Sequence, residues 1–264
     1  MIKMIISDLD GTLLPPGYGK ISERLFTQIP ALRRMGIDFC LATGRQYPGC
    51  FKMFRDLAPE LYYITNNGGD VHYKGETLRL IEIPTSRLDE LISEIESIPG
   101  LLLEAAGASS GYTATDNQAF FDMLVHQVGY VEKNIESLHN PPEPLLKLAV
   151  NHYGYPTFDK DLAEHFREKY GDTYDVVYSG NGWLDFMTKG IGKGSAVKFL
   201  MEKMGLKRDE VIIFGDNEND LSMFEEVDCC YAMAHSFDHV KAKATRVTED
   251  VTNELERIIS GDFQ

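Results

Sequence analysis

Positive charge is scarce in this chain: 26 lysines and arginines stand against 41 aspartates and glutamates, a net charge of −15 over 264 residues. Such a field disfavours nucleic acid and anionic membranes as partners, and an anionic substrate would need positive charge gathered locally against it. No apolar run approaches the roughly 20 residues of a membrane span, and the N-terminus lacks the arrangement of a signal peptide. The cysteines Cys40, Cys50, Cys229 and Cys230 show neither Cys-x-x-Cys spacing nor zinc-finger partners, so reduced thiols in a cytoplasm are the simplest expectation. Several catalytic signatures are missing as well. No Gly-x-Gly-x-x-Gly follows the first apolar run, which argues against dinucleotide binding. Gly190-Ile191-Gly192-Lys193-Gly194-Ser195 lacks the four-residue gap of a P-loop, and neither His-Glu-x-x-His nor Gly-x-Ser-x-Gly occurs. What remains is an apolar fraction of 43%, enough for a real core, and a length that suits one large domain or two smaller ones.

The stretch that organises the chain is Met4-Ile5-Ile6-Ser7-Asp8-Leu9-Asp10-Gly11-Thr12. Ile2 to Ile6 reads as a buried strand of a parallel sheet, ending in two carboxylates one residue apart. Side chains at i and i+2 of extended backbone point the same way, so Asp8 and Asp10 are expected to converge at the strand's carboxyl end. Anions that close persist only where a cation, a shared proton or solvent compensates them. An ordinary strand-to-turn signal would explain Asp-x-Asp-Gly taken alone. Three further segments speak against so plain an explanation.

Pro15 to Gly19 is a breaker-rich loop, after which Ser22 is expected to cap a helix running to Met35, kinked or irregular at Pro30. Ile37 to Ala42 is a second strand that runs into Thr43-Gly44-Arg45. A helix over about residues 47–57 and a strand from Tyr62 to Thr65 lead to Asn66-Asn67-Gly68-Gly69, and the segments 71–73 and 77–83 read as a hairpin. From Pro84 the pattern changes to an amphipathic helix (Leu88, Leu91, Ile92, Ile95, Ile98), then short apolar segments, a helix over 162–170 and strands over 174–178 and 183–187. The earlier organisation returns at Gly190, which opens a helix carrying Val197, Leu200, Met201 and Met204 on one face. Val211 to Phe214 is the most strand-like run, and it stops at Gly215-Asp216-Asn217-Glu218-Asn219-Asp220. A helix through Glu226, a strand from Cys230 to Met233, a helix near 237–244 and a last helix from Thr252 complete the chain. The expected fold is α/β: a Rossmann-like parallel sheet with helices on its faces over residues 1–84 and 188–264, interrupted by an inserted α+β domain over 85–187.

In open parallel sheets ligands bind outside the carboxyl ends of the strands. Asp8, Asp10, Thr43, Asn66 and Asp216 each fall just past a predicted strand, so one rim should collect them. Lys193 begins a helix and brings a positive charge and free backbone N–H groups. Carboxylates to hold a hard divalent cation, a hydroxyl and N–H groups to grip phosphoryl oxygens, and a lysine to offset charge are what phosphoryl transfer asks for.

Asp8-x-Asp10-Gly11-Thr12, Thr43-Gly44-Arg45, Lys193-Gly194 and Gly215-Asp216-x-x-Asn219-Asp220 together resemble the four motifs of the haloacid dehalogenase (HAD) superfamily. The inserted region, preceded by Asn66-Asn67-Gly68, is similar to the type IIB cap of the Cof-like sugar phosphatases. The resemblance covers the whole chain. It implies that Asp8 is a nucleophile forming an aspartyl phosphate. Asp10 would act as general acid and base, with its backbone carbonyl on Mg²⁺. Thr43, Lys193 and the Gly44 N–H would hold phosphoryl oxygens, and Asp216 would complete the protein's share of the metal shell. Asp220 would orient that shell or Lys193, and Asn219 would bond the phosphate or a neighbour. Arg45 is either a substrate contact or a solvated charge at a helix start. Ala234-His235-Ser236 stands where such phosphatases often show Gly-Asn-Ala, which opens a route for His235 into the site, and the tail after Val251 is short for the family. The implied activity is Mg²⁺-dependent hydrolysis of a small phosphorylated metabolite, with a sugar phosphomutase and a non-catalytic phosphometabolite sensor as alternatives. Cap residues facing the site cannot be picked without the register of the cap's strands, and the oligomeric state leaves no mark in the sequence.

Overall fold

Met4 and Ile6 pack on one face of a sheet and Ile5 on the other, and all three are fully buried, as a strand covered on both sides requires. The computed structural model describes residues 1–16, 20–180 and 182–262. Gly17-Tyr18-Gly19 of the expected breaker-rich loop lies outside the described residues. In chain order the strands are β1 (Met4–Ser7), β2 (Asp38–Ala42), β3 (Tyr62–Thr65), β4 (Asp70–Tyr73), β5 (Glu76–Leu80), β6 (Leu101–Gly107), β7 (Gly111–Thr113), β8 (Glu132–Asn134), β9 (Leu145–His152), β10 (Tyr174–Gly180), β11 (Trp183–Thr188), β12 (Val211–Gly215), β13 (Cys229–Met233) and β14 (Arg246–Thr248). They form two sheets. The first has the order β14-β13-β12-β1-β2-β3-β4-β5, and the second β10-β11-β9-β6-β7-β8.

In the first sheet β14 through β3 run parallel, and the hairpin β4–β5 extends the edge antiparallel. β1 lies between β2 and β12, the strands that begin the two opposite directions of winding. That is the topological switch point, where loops leave the sheet on opposite faces and open a crevice. One face is covered by the helices Leu25–Arg34 and Val251–Ser260, whose Ile29, Leu32, Leu255 and Ile258 meet Ile5, Phe39 and Phe214. The other is covered by the helix Lys193–Met204 through Val197, Leu200 and Met201 against Met4, Ile6 and Ile213. The second sheet is antiparallel apart from β7–β8, and the helices Leu88–Ser97 and Lys160–Tyr170 share its core of Leu91, Ile95, Leu148, Phe166 and Phe186. The architecture is thus a Rossmann-like α/β core with an α+β cap of the type IIB kind. Among the described residues no helix is long and apolar enough to cross a membrane.

Three local expectations need correction. Ser22 does not cap a helix: its hydroxyl accepts the Arg24 N–H at 3.3 Å in a preceding turn, and the helix begins at Leu25 and runs through Pro30 to Arg34. Tertiary packing of Leu25, Ile29 and Leu32 outweighs the single backbone bond that proline removes. The helix expected over 47–57 ends at Met53 and continues as a 3₁₀ segment, Arg55–Glu60, where Arg55 enters with φ +50°. Finally, a helix at Gln118–Asp122, a π-helical turn at Met123–Val128 and the strand β8 occupy a stretch with no regular pattern in the sequence.

Candidate active site

Asp8 follows β1 directly, and its N–H donates to the Phe214 carbonyl of β12 at 2.9 Å, which ties the loop to the neighbouring strand. Lys193, the first residue of its helix, sends its ammonium back to Asp8 Oδ1 at 2.6 Å and Asp220 Oδ1 at 2.7 Å. The other oxygen of Asp220 accepts the backbone N–H groups of Asp216 (2.8 Å) and Asn217 (3.1 Å), so Asp220 fixes both the lysine and the loop that carries Asp216. Asp216 Oδ1 accepts the Thr12 hydroxyl at 3.2 Å. Gly11 makes this approach possible. It sits at φ +88°, and a Cβ there would lie 2.3 Å from Asp216 Oδ2. Gly11→Ala therefore combines about 1 kcal/mol of left-handed strain with displacement of Asp216. We expect the variant to fold but to bind Mg²⁺ at least about tenfold more weakly by isothermal titration, the loss typical of disturbing a ligand's support.

The three converging carboxyls of this cluster share a single buried ammonium, that of Lys193. Burial raises the Asp8 carboxyl well above its ordinary range; Lys193 opposes the shift, and Asp220, Asp216 and Asp10 add to it. Burial and then Asp220 push Asp216 to about 7 against Lys193 and Thr12. Burial works against the Lys193 ammonium, but Asp220 and Asp8 overcome it and raise the lysine above its usual value. Carboxylate oxygens of Asp8, Asp216 and Asp220 all lie within 4.8 Å of one another. Hard oxygen donors carrying more negative charge than one lysine offsets fit a divalent cation such as Mg²⁺. Asp220 is engaged on both oxygens, which leaves Asp8 and Asp216 as the side chains with donor capacity.

The remaining motif residues gather on the same rim. Thr43 is fully buried; its N–H donates to the Ile64 carbonyl at 2.8 Å and its hydroxyl accepts the Arg45 N–H at 3.2 Å. Gly44 lines the cleft with Thr43. Arg45 is no solvated charge: it is 6% exposed and grips Asp10 with two parallel bonds, Nε to Oδ2 at 2.7 Å and Nη2 to Oδ1 at 2.5 Å. Its third nitrogen donates to the Val128 carbonyl of the cap. The Asp10 side chain thus faces Arg45 and is not among the three carboxylates that converge. Asn219 bonds a neighbour, Asn67 Oδ1, at 3.2 Å, and Asn67 in turn donates to Asp185 Oδ2 of the cap at 2.6 Å. His235 does reach the site, with Nε2 3.8 Å from Asp216 Oδ2.

The cap closes the cleft with residues that no motif marked: Tyr130, Lys147, Ser179, Trp183 and Asp185. Lys147 donates to the Gly44 carbonyl at 2.9 Å and lies 3.4 Å from Asp185 Oδ2, which also accepts the Ser179 hydroxyl. Only the alternation of β9, β10 and β11, read in register, places these side chains inward.

The sequence profile of the haloacid dehalogenase-like hydrolases matches residues 5–254. The 5-amino-6-(5-phospho-D-ribitylamino)uracil phosphatase YbjI of Escherichia coli is 28% identical over 249 residues, 92% of this chain and 89% of that protein. Among solved structures, SMU.1108c of Streptococcus mutans superposes with a TM-score of 0.86 at 23% identity, covering 98% of this chain and all of the other. The subclass IIB sugar phosphatase BT4131 superposes with a TM-score of 0.80 at 18% identity over 97% of this chain and 98% of its own. The last two likenesses bear on the fold, including the cap.

Proposed function

The chain belongs to the haloacid dehalogenase-like hydrolases, and from that membership we propose that it is a Mg²⁺-dependent phosphomonoester hydrolase acting on a small phosphorylated metabolite. The observation that carries this reading is the meeting of Asp8, from the first strand, with Asp216 and Asp220, from near the other end of the chain, around one buried lysine. Residues 1–84 and 188–264 would form the catalytic core and 85–187 the cap.

Asp8 Oδ1 is held by Lys193, so the second oxygen is the one to attack phosphorus in line. The new Asp8 O–P bond forms as the ester P–O bond breaks, and Asp10, once it has left the fork of Arg45 and taken a proton from solvent, gives that proton to the departing alkoxide. Water then attacks the phosphorus of the aspartyl phosphate as Asp10 takes a proton from it, the Asp8 O–P bond breaks, and inorganic phosphate leaves with Asp8 restored as a carboxylate. Asp8, Asp216 and the Asp10 backbone carbonyl would hold Mg²⁺, which supplies charge neutralisation to the phosphoryl oxygens. Thr43, the Gly44 N–H and Lys193 would hold those oxygens as charge develops on them. The fork of Arg45 on Asp10 keeps that carboxylate aimed into the cleft until substrate arrives.

Trp183 and Tyr130 on the cap wall suit a flat or hydroxylated leaving group, and Lys147 and Asp185 offer it hydrogen bonds of both polarities. A sugar phosphate meets this description, and so does a phosphoribityl compound of the kind named for YbjI. A panel of such phosphates should show Mg²⁺-dependent release of inorganic phosphate that EDTA abolishes. Conversion of a sugar phosphate to its isomer without free phosphate would favour the mutase, and no turnover of any member, with or without Mg²⁺, would overturn the reading.

A further inference from the structure

Three consecutive residues of the core, Gly44, Arg45 and Gln46, are each gripped by the cap. Lys147 takes the Gly44 carbonyl and Arg45 reaches the Val128 carbonyl. Gln46 Nε2 donates to Glu104 Oε1 of β6 at 2.6 Å and lies 3.4 Å from Glu132 Oε2 of β8. Neither glutamate lines the substrate cleft. Glu104 is fully buried and Gln46 is 1% exposed. One oxygen of each glutamate, and Oε1 of Gln46, is buried with no hydrogen-bond partner among the described residues.

Gly111 of β7 shows how closely these groups converge. A Cβ there would lie 2.1 Å from Gln46 Nε2, 2.1 Å from Glu132 Oε2 and 2.8 Å from Glu104 Oε1. Two carboxylates that near and so buried do not both ionise. The nearest cation, Lys147, is already bonded to Gly44 and Asp185, and the remaining groups facing Glu104 are Asp185 and Tyr130, neither of which supplies positive charge. A proton on one carboxyl provides the donor that the orphaned oxygens lack.

We propose that Glu104 is a positioning residue: together with Glu132 it takes up a proton when the cap docks on the core, and through Gln46 it holds the Thr43–Arg45 segment in its working place. The importance for catalysis rests on the phosphatase reading; the docking does not. Burial pushes Glu104 to about 7 against Lys147 and Gln46, and burial followed by Glu104 pushes Glu132 to about 9. Undocking removes burial by the core, so both carboxyls would fall toward the ordinary range near about 4.3, although they remain neighbours within the cap. A carboxyl raised in the docked state favours docking fully at pH below that ordinary value, and the benefit is lost as pH rises through the docked pKa. Docking therefore loosens as pH rises from about 4.3 to about 9 and changes no further above that.

Trp183 is the only tryptophan in the chain and sits on the cap side of the cleft, so it reports docking without turnover. The test is acrylamide quenching of Trp183, and the Kd for inorganic phosphate, in the full chain with Mg²⁺ across that pH range for wild type, Glu104→Gln and Glu104→Ala. In the wild type, quenching rises and phosphate affinity falls with pH, by up to about tenfold per pH unit for each proton between the ordinary carboxylate value and the docked pKa, and both level off above it. Glu104→Gln still accepts from Gln46 and offers Glu132 an N–H, so its quenching stays lower than in the wild type, with a shallower pH dependence left to Glu132. Glu104→Ala is more quenched at every pH. Titration of phosphate itself is common to all three and cancels in the ratios. A Glu104→Gln curve that follows the wild type overturns the proposal, and so does a Glu104→Ala protein that matches the wild type in both measurements. If Glu104→Ala does not fold, the glutamine variant decides alone. Failure of the phosphatase reading shows separately, as absent phosphate release with the quenching profile intact.

Discussion

Asp8→Asn is expected to lower kcat on any phosphomonoester substrate by about 10⁵-fold or more, because an amide oxygen does not form the covalent intermediate. The same variant should keep its fold and its melting temperature. In the metal-free protein burial presses the Asp8 carboxyl toward neutrality against Lys193, and Asp220, Asp216 and Asp10 add to the push. The asparagine carbonyl can still accept from Lys193 while one buried negative charge is gone. With EDTA present we expect a melting temperature equal to or above that of the wild type. A variant that turns over within a factor of ten of wild type would remove Asp8 as nucleophile, and a clear loss of stability would mean that the ion pair to Lys193 dominates the local energetics.

Lys193→Met should lower activity too but, unlike Asp8→Asn, should also cost stability. The methionine fills similar volume but leaves Asp8 and Asp220, 6% and 0% exposed at their side chains, without their shared cation. Removing one partner of a buried ion pair costs about 3–5 kcal/mol, which for a chain of this size lowers the melting temperature by roughly 6–20 °C. Because burial raises the Asp8 carboxyl and the lysine that opposed the shift is gone, the variant is most stable below the ordinary carboxylate range and weakens as pH rises through neutrality. Activity falls as well, by about 10²- to 10³-fold for the lost contact to phosphoryl oxygens. Differential scanning calorimetry over a pH series, with phosphate release on the same samples, checks all three. A Lys193→Met protein as stable as wild type at neutral pH would mean that Asp8 and Asp220 find another source of charge.

The two variants separate roles that one motif set leaves merged. Asp8 and Lys193 touch, yet one is expected to matter for chemistry alone and the other for chemistry and folding. The difference follows from Asp220, which depends on the lysine and also holds the Asp216 loop by two backbone N–H groups.

The core was legible because its logic is one-dimensional. β-branched runs that stop at polar residues give parallel strands, and strands that share a direction deliver their ends to one rim, so Asp8, Thr43 and Asp216 could be expected together before any coordinates. Helix boundaries were less legible, since Ser22 and Pro30 carry strong local preferences that the packing of Leu25, Ile29 and Leu32 overrides. The stretch from Gln118 to Val128 gave no periodic signal, and so the Val128 carbonyl that meets Arg45 was invisible in the sequence.

By itself the sequence determined the sheet of the core, the rim on which the acids, the threonine and the lysine meet, and the charge deficit there that fits a cation. Only the tertiary structure decided that Arg45 clasps Asp10, that His235 reaches Asp216, that Lys147, Trp183 and Asp185 face the cleft, and that Glu104 and Glu132 meet Gln46. The reason is physical. A strand's end and direction follow from its own residues, whereas the face a cap residue shows to the core depends on register and on docking between two separately built sheets, which no single segment encodes.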